Sequence, residues 1–169
     1  KYSIPVMIRI TTRLAHSRSA VTRSEPMPQH ELRIPEMKNQ FILLPSMARK
    51  SYKRLVQIQP ELEMEAVESR FNGISGGEDT SLGIICGGLA YNYLAENFED
   101  QKIPYPVLRI SQYPVPRSLV STLYERCGAI LVLEEGYPLI EESLKGLLGL
   151  DKQVRGRLDG TVPRTGELN

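Results

Sequence analysis

The chain has 169 residues, 41% of them hydrophobic, with 21 Lys and Arg against 20 Asp and Glu for a formal net charge of +1. That length holds one domain of about 100–150 residues with something attached. The charge balance argues against a nucleic-acid or membrane-surface protein, which carries a basic excess, and no apolar run comes near the roughly 18 residues of a membrane helix.

Lys1-Tyr2-Ser3 carries neither an initiator Met nor a signal-peptide pattern, so the chain is expected to be an interior piece of a longer protein. Residues 4–10, Ile-Pro-Val-Met-Ile-Arg-Ile, read as a strand of branched side chains. Residues 11–19 follow as a polar segment, Thr-Thr-Arg-Leu-Ala-His-Ser-Arg-Ser, where open α/β sheets place their ligands. Nothing precedes this strand to pair with it, so it reads as the last strand of a truncated domain. Residues 22–40 carry Pro26, Pro28 and Pro35 among mixed charges, which is the composition of a linker. The apolar segment 41–47 stops at Pro45, and Ser46 is placed to cap a helix. Arg49, Lys50, Lys53 and Arg54 on that helix form a solvated face or a docking patch. Pro60 either breaks the helix or starts another, with acidic residues in its first turn. The glycine-rich stretch 72–80 marks a boundary.

From residue 81 the pattern is regular. Residues 81–88 predict a strand, 89–100 a helix, 105–111 a strand and 116–127 a helix opening near Pro116. Residues 129–135 predict an almost wholly apolar strand, central and covered on both faces. Residues 138–149 predict a helix stopped by Gly149, and 153–160 a short last strand. Such alternation implies right-handed crossovers and an α/β fold, a three-layer, open and mostly parallel sheet preceded by a helical linker.

The chemistry is sparse. Gly83, Gly87 and Gly88 lack the G-x-G-x-x-G spacing of a dinucleotide site. Gly87-Gly88 either lets backbone amides approach an anion or permits a sharp strand-to-helix corner. Glu134 and Glu135, at a strand end, suit a base or cation site, a cap on the next helix, or pairing with Arg109. His16 lies between Arg13 and Arg18, and with Thr11 and Thr12 makes the best small-anion constellation in the chain. His30 lacks such company. Cys86 and Cys127, the only cysteines, are too few for a four-thiolate metal set and fit a reduced, cytoplasmic protein. No complete active site emerges, and no metal or cofactor-binding residue is assigned.

In order, these features resemble one family. "IPVMIRITTRLAHSRSAV" looks like the end of the first thiamine-type domain in the alpha subunit of indolepyruvate ferredoxin oxidoreductase, a thiamine diphosphate-dependent 2-oxoacid:ferredoxin oxidoreductase. "ILLPSMARKSYKRL" resembles the helical linker that follows. "LGIICGGLAYNYLAE" and "VLRISQYPVPRSLVSTLYERCGAILVLEEGYPLIEE" look like the transketolase C-terminal-like domain, and "RGRLDGTVPRTGEL" like the passage out of it. The resemblance divides the chain into 1–24, the last strand and loop of a thiamine (pyrimidine-type) domain, 25–80, a linker with helices, and 81–169, the transketolase C-terminal-like domain.

The resemblance implies an enzyme that uses thiamine diphosphate, Mg²⁺ and 4Fe–4S clusters to decarboxylate an aryl 2-oxoacid, with coenzyme A as acyl acceptor, ferredoxin as electron acceptor and a beta subunit in a hetero-oligomer. It places Thr11, Thr12, Arg13 and His16 near the substrate. This sequence lacks the family's cysteine-rich region and its Gly-Asp-Gly…Asn segment, so the chain itself is expected to bind none of these cofactors and to be inactive alone. The other reading is a non-catalytic α/β ligand-binding or scaffold module of a multidomain protein.

Overall fold

The computed structural model describes all residues except 1, 3, 6, 9, 21, 23–25, 27, 28, 30, 33, 35, 99–101, 146–151, 157, 158 and 164–169. The expectations for Pro28, His30, Pro35 and Gly149 fall outside the described residues. The chain divides into two compact units, Lys1–Ile58 and Gln59–Asn169.

In the first unit no described residue is buried. The strand expected over 4–10 does not form among the described residues, where Met7, Ile8 and Ile10 stand exposed at 92%, 83% and 59%. A lone strand leaves its backbone groups unpaired, and nothing among the described residues pairs with this one. The polar segment after it instead folds as a short helix, α1 (Thr12–His16). A 3₁₀ turn, Lys38–Phe41, precedes the long helix α2 (Pro45–Glu68). The helix takes Pro45 at its first position, where the missing N–H is not needed, so Ser46 lies inside the helix instead of capping it. Pro60 lies within α2, where one continuous helix replaces the two expected. Its ring removes one i→i−4 bond without ending the helix.

The second unit is built on a five-stranded sheet of order β1-β3-β2-β4-β5, comprising β1 (Gly73–Ser75), β2 (Gly83–Gly87), β3 (Val107–Ile110), β4 (Ile130–Leu133) and β5 (Val154–Arg155). Strands β2 to β5 pair in parallel, with Ile85 opposite Leu108 on one side and Val132 on the other. Strand β1 runs antiparallel to β3, Ile74 opposite Leu108. It occupies the stretch expected to be a glycine-rich boundary, whose only strand-forming run is Gly-Ile-Ser. The centre belongs to β2, whose first four residues are all buried; β4, expected there, is its neighbour.

Alternation along the strands separates two packed faces. Ile84, Cys86 and Val107 point to α3 (Ala90–Glu96), joining Ala90, Tyr91 and Leu94. Ile85, Leu108, Ile110, Ile130 and Val132 point to α4 (Arg117–Arg126) and α5 (Leu139–Lys145), meeting Val120, Leu123, Ile140 and Leu144. The spacing of Val120, Leu123 and Cys127 makes one apolar stripe on α4, as that of Ile140 and Leu144 does on α5. The result is the expected three-layer α/β/α arrangement. From β2 the chain moves outward to β3 by α3 on one face, then back past β2 to β4 by α4 on the other. Direction and face reverse together, so both crossovers keep one hand.

Candidate functional site

That reversal makes the gap between the C-terminal ends of β2 and β4 a topological switch point, the usual ligand position in an open α/β sheet. Gly87-Gly88 stands on one side of it and Glu134-Glu135 on the other. A Cβ at Gly87 would lie 3.0 Å from Ile140 Cδ1 and 3.4 Å from Glu134 Cβ, so the corner is closed by α5 and the end of β4. Gly88 adopts φ +56°, a left-handed conformation that glycine takes without penalty. Its N–H donates to Ile110 O at 3.0 Å and is thereby engaged within the sheet. The glycine pair makes a sharp strand-to-helix corner.

Glu134 is 5% exposed, and its two carboxylate oxygens accept the backbone N–H groups of Ile140 at 2.9 Å and Glu141 at 3.0 Å. It caps α5, the structural one of the roles open to it from sequence, and satisfies donors that helix starts leave orphaned. Arg109 is not its partner; the guanidinium lies 5.3 Å from the centre of the Tyr91 ring. Glu135 Oε1 is buried without a hydrogen bond, while the residue as a whole stays half-buried. Glu141, 0% exposed on the first turn of α5, pairs with Lys145 at 3.1 Å and lies beneath Gly156, where a Cβ would stand 2.6 Å from its Oε2.

The small-anion constellation of the first unit is brought together on α1. Thr11 caps that helix, its hydroxyl accepting the N–H of Leu14 at 3.3 Å and its carbonyl accepting that of Ala15 at 3.0 Å. Thr12, Arg13 and His16 are exposed on the single turn and a half that follows.

Cys86 and Cys127 pack in separate clusters on opposite faces of the sheet. Burial pushes the Cys86 thiol from 9.0 up to about 12. The Cys127 thiol is also raised by burial, which outweighs the pull of Arg126 and Lys152. These are inert core thiols that do not share a metal. Among the described residues no three His, Cys, Asp or Glu side chains group as metal ligands, so no step is assigned to a metal or cluster on them. Nor is any of their helices long and apolar enough to cross a membrane.

Two groups were not legible in the sequence. Asn72, 6% exposed, has all its hydrogen-bonding capacity satisfied: Nδ2 donates to Ala66 O and Gln112 O at 2.8 Å, and Oδ1 accepts from Ser111 N at 2.8 Å and Gln112 N at 2.9 Å. It ties the end of α2 to the segment after β3. The other group is an aromatic cavity beside α3, with Tyr91, Phe98 and Tyr105 in its lining. The tyrosines were legible only as parts of apolar runs.

No family model matches the chain. It is 35% identical over 177 aligned residues to the indolepyruvate oxidoreductase subunit IorA of Methanothermobacter thermautotrophicus, a match covering 99% of this chain and 28% of that subunit. The IorA subunit of Methanothermobacter marburgensis is 34% identical, covering 100% and 28%, and that of Archaeoglobus fulgidus 30%, covering 100% and 27%. The chain thus spans little more than a quarter of the length of the curated relatives it matches. Among solved structures, the 2-oxoglutarate:ferredoxin oxidoreductase of Magnetococcus marinus, with 2-oxoglutarate, coenzyme A and succinyl-CoA bound, aligns to 68% of this chain and 21% of its own at 11% identity and a TM-score of 0.48. That likeness is too loose to bear on function.

Proposed function

The chain belongs to the family of indolepyruvate oxidoreductase IorA subunits over the segment it spans, and on that premise we propose that it works inside an enzyme that oxidatively decarboxylates aryl 2-oxoacids such as indolepyruvate. The reaction joins the acyl group of the oxoacid to the sulfur of coenzyme A and releases CO₂ and a proton. Its two electrons pass to ferredoxin. Thiamine diphosphate with Mg²⁺ and 4Fe–4S clusters supply the carbanion chemistry and electron transfer when bound, and they belong to parts of the cytoplasmic hetero-oligomer, beta subunit included, outside this chain.

The observation that carries the reading is the relationship along the whole chain, at 35% identity to the first of these relatives. The geometry agrees with a supporting role for residues 81–169 as the transketolase C-terminal-like domain. Glu134 is engaged in capping and Gly88 in the sheet, so the switch point is used to hold the fold together. Residues 1–24 belong to the edge of a thiamine-type domain and 25–80 hold the linker, whose last part, Gly73–Ser75, joins the sheet as β1. The exposure of Met7, Ile8 and Ile10 favours this, since such a strand needs a sheet to join. Within it, Arg13 neutralises the substrate carboxylate while Thr11, Thr12 and His16 orient it.

The test is anaerobic turnover by the complete two-subunit protein against a panel of 2-oxoacids. Coenzyme A-dependent ferredoxin reduction with arylpyruvates is expected, and none with the isolated 169-residue chain. Failure of the complete protein to oxidise any 2-oxoacid, or turnover by the chain alone, overturns the proposal.

A further inference from the structure

Asn72 is followed by glycine, whereas Asn39, Asn92 and Asn97 precede Gln, Tyr and Phe. Asn-Gly is the dipeptide most prone to lose its side-chain amide, because no Cβ hinders the backbone N of the second residue from reaching Cγ of the first. Here that labile pair begins with one of the best-buried polar side chains, 6% exposed. We propose that Asn72-Gly73 is a deamidation site that the fold keeps shut, and that its reaction makes an opening of the junction between α2 and β1 irreversible.

Nothing in the fold calls for glycine at 73. A Cβ there would meet no atom within 4 Å, and the left-handed glycines among the described residues are Gly88, Gly136 and Gly160. A strand position also disfavours glycine. The chain thus carries the reactive dipeptide without a conformational need for it, at the residue that ties α2 to the segment after β3.

The step is internal until water enters. The Gly73 backbone N loses its proton and attacks Asn72 Cγ. The N–Cγ bond forms, the Cγ–Nδ2 bond breaks, and ammonia leaves with the proton. Water then opens the five-membered succinimide at either carbonyl, giving aspartate or isoaspartate at position 72, with no electrons exchanged.

The folded junction opposes both halves of this reaction. Cγ must swing toward Gly73 N, but Nδ2 is held by Ala66 O and Gln112 O at 2.8 Å, and Oδ1 by Ser111 N at 2.8 Å and Gln112 N at 2.9 Å. The backbone is pinned as well: Asn72 N donates to Ser69 O at 3.1 Å, the Ser69 hydroxyl donates to Gln112 Oε1 at 2.6 Å, and Gly73 lies opposite Arg109 in the sheet. Burial keeps out the water that the second half consumes. Strand β1 is a three-residue edge, the kind of element that opens locally. Once the reaction has run, aspartate sets a negative oxygen against two carbonyls, and isoaspartate adds a methylene to the main chain ahead of β1. Neither product can rebuild the junction.

The test holds the full chain at neutral pH in buffer and in unfolding guanidinium chloride, and follows position 72 by peptide mass mapping with an isoaspartate-specific assay. The unfolded chain should convert Asn72 at least about tenfold faster than the native chain, and ahead of Asn39, Asn92 and Asn97. Equal rates in the two states, or no preference for Asn72 in the unfolded one, would overturn the site. Gly73→Ala is compared in the same denaturant, where its folding does not matter. The added Cβ should slow conversion at least about tenfold, and an unchanged rate would overturn the cyclic route. After the denaturant is removed, Gly73→Ala held for the full period should regain its circular dichroism spectrum and melting temperature, and the converted wild type should not. Full recovery of the converted chain, or equal failure of Gly73→Ala, would overturn the irreversible step. None of these readouts involves turnover, so the proposal stands or falls separately from the enzymatic reading.

Discussion

Glu134 holds the first turn of α5 through Ile140: Oε2 accepts the Ile140 backbone N–H at 2.9 Å, from a position where the carboxylate is nearly sealed from water. The end of β4 and the start of the next helix are thus one hydrogen-bonded unit, with the second oxygen on Glu141 N at 3.0 Å. A strand-end carboxylate whose two oxygens are both occupied in this way supports the fold at the point where α/β proteins often support a ligand.

Glu134→Ala should therefore lower stability by about 2–4 kcal/mol, because it leaves two buried N–H groups without acceptors. Glu134→Gln should cost less than the alanine, since its one remaining oxygen can still accept while its amide turns a donor toward the second N–H. Urea unfolding followed by circular dichroism measures both. Equal, near-zero effects would mean that water replaces the cap and that the carboxylate is free for another role.

Asn72 gives a second stability prediction from a residue with no apolar packing to lose. Asn72→Asp is nearly isosteric but replaces the donor to Ala66 O and Gln112 O, both at 2.8 Å, with an acceptor. A negative oxygen then faces two carbonyls, and the loss should reach about 3 kcal/mol or more. The deficit should shrink when the Asp is protonated at low pH. A pH-independent deficit would show that geometry, and not charge, is at fault.

The buried thiols predict a pH dependence. The folded protein holds the Cys86 proton up to about 12, whereas an unfolded cysteine releases it near 9.0. A raised folded pKa adds stability in full below pH 9, and that contribution declines as pH rises from there toward 12. The slope attributable to Cys86 should approach about 1.4 kcal/mol per pH unit in that window, and Cys86→Ala should flatten the curve whatever its absolute stability. A thiol reagent at pH 8 should modify Cys86 and Cys127 only after unfolding. Rapid labelling of native protein would contradict the burial of both.

The contrast between the halves of the chain explains what was legible in its sequence. From residue 81 the elements bury their apolar residues against one another, so period and packing agree: 83–87, 107–110 and 130–133 are strands where branched runs predict them. One departure there is of rank, and one just before it is of length. Continuous apolarity predicts β4 to be central, and it is interior, paired with β2 on one flank and β5 on the other, but the middle position is a property of topology and belongs to β2. β1 is three residues long and pairs through its backbone with β3, a signal that Gly-Ile-Ser cannot carry. Before residue 59 no described residue is buried. The branched run 4–10 has strand propensity without a partner among the described residues, and α1 forms where Thr11 can cap it. At the switch point the sequence offered Glu134 as cap, base or ion-pair partner. Which one depends on where α5 begins relative to β4, to within one hydrogen bond, and composition does not encode that distance.

The carboxylate-binding role proposed for Arg13 is tested in the complete two-subunit enzyme, since the chain alone is not expected to turn over. Thr11 fixes the start of α1, and Arg13 and His16 sit three residues apart on it, so an anion could reach both side chains from one side. A guanidinium meets a carboxylate with two parallel N–H donors, whereas an ammonium offers a single point contact. Arg13→Ala should reduce kcat/KM at least about tenfold, or ~1.4 kcal/mol of transition-state stabilisation. Arg13→Lys should recover part of that loss through charge alone and fall short of the wild type, because the fork is gone. If Arg13 merely oriented the helix, Lys and Ala would differ in melting temperature and not in KM. A neutral substrate analogue separates the cases further: lacking the carboxylate, it should bind wild type and Arg13→Ala alike. Unchanged kinetics in both variants would remove Arg13 from the substrate and leave α1 as a surface element of the assembled enzyme.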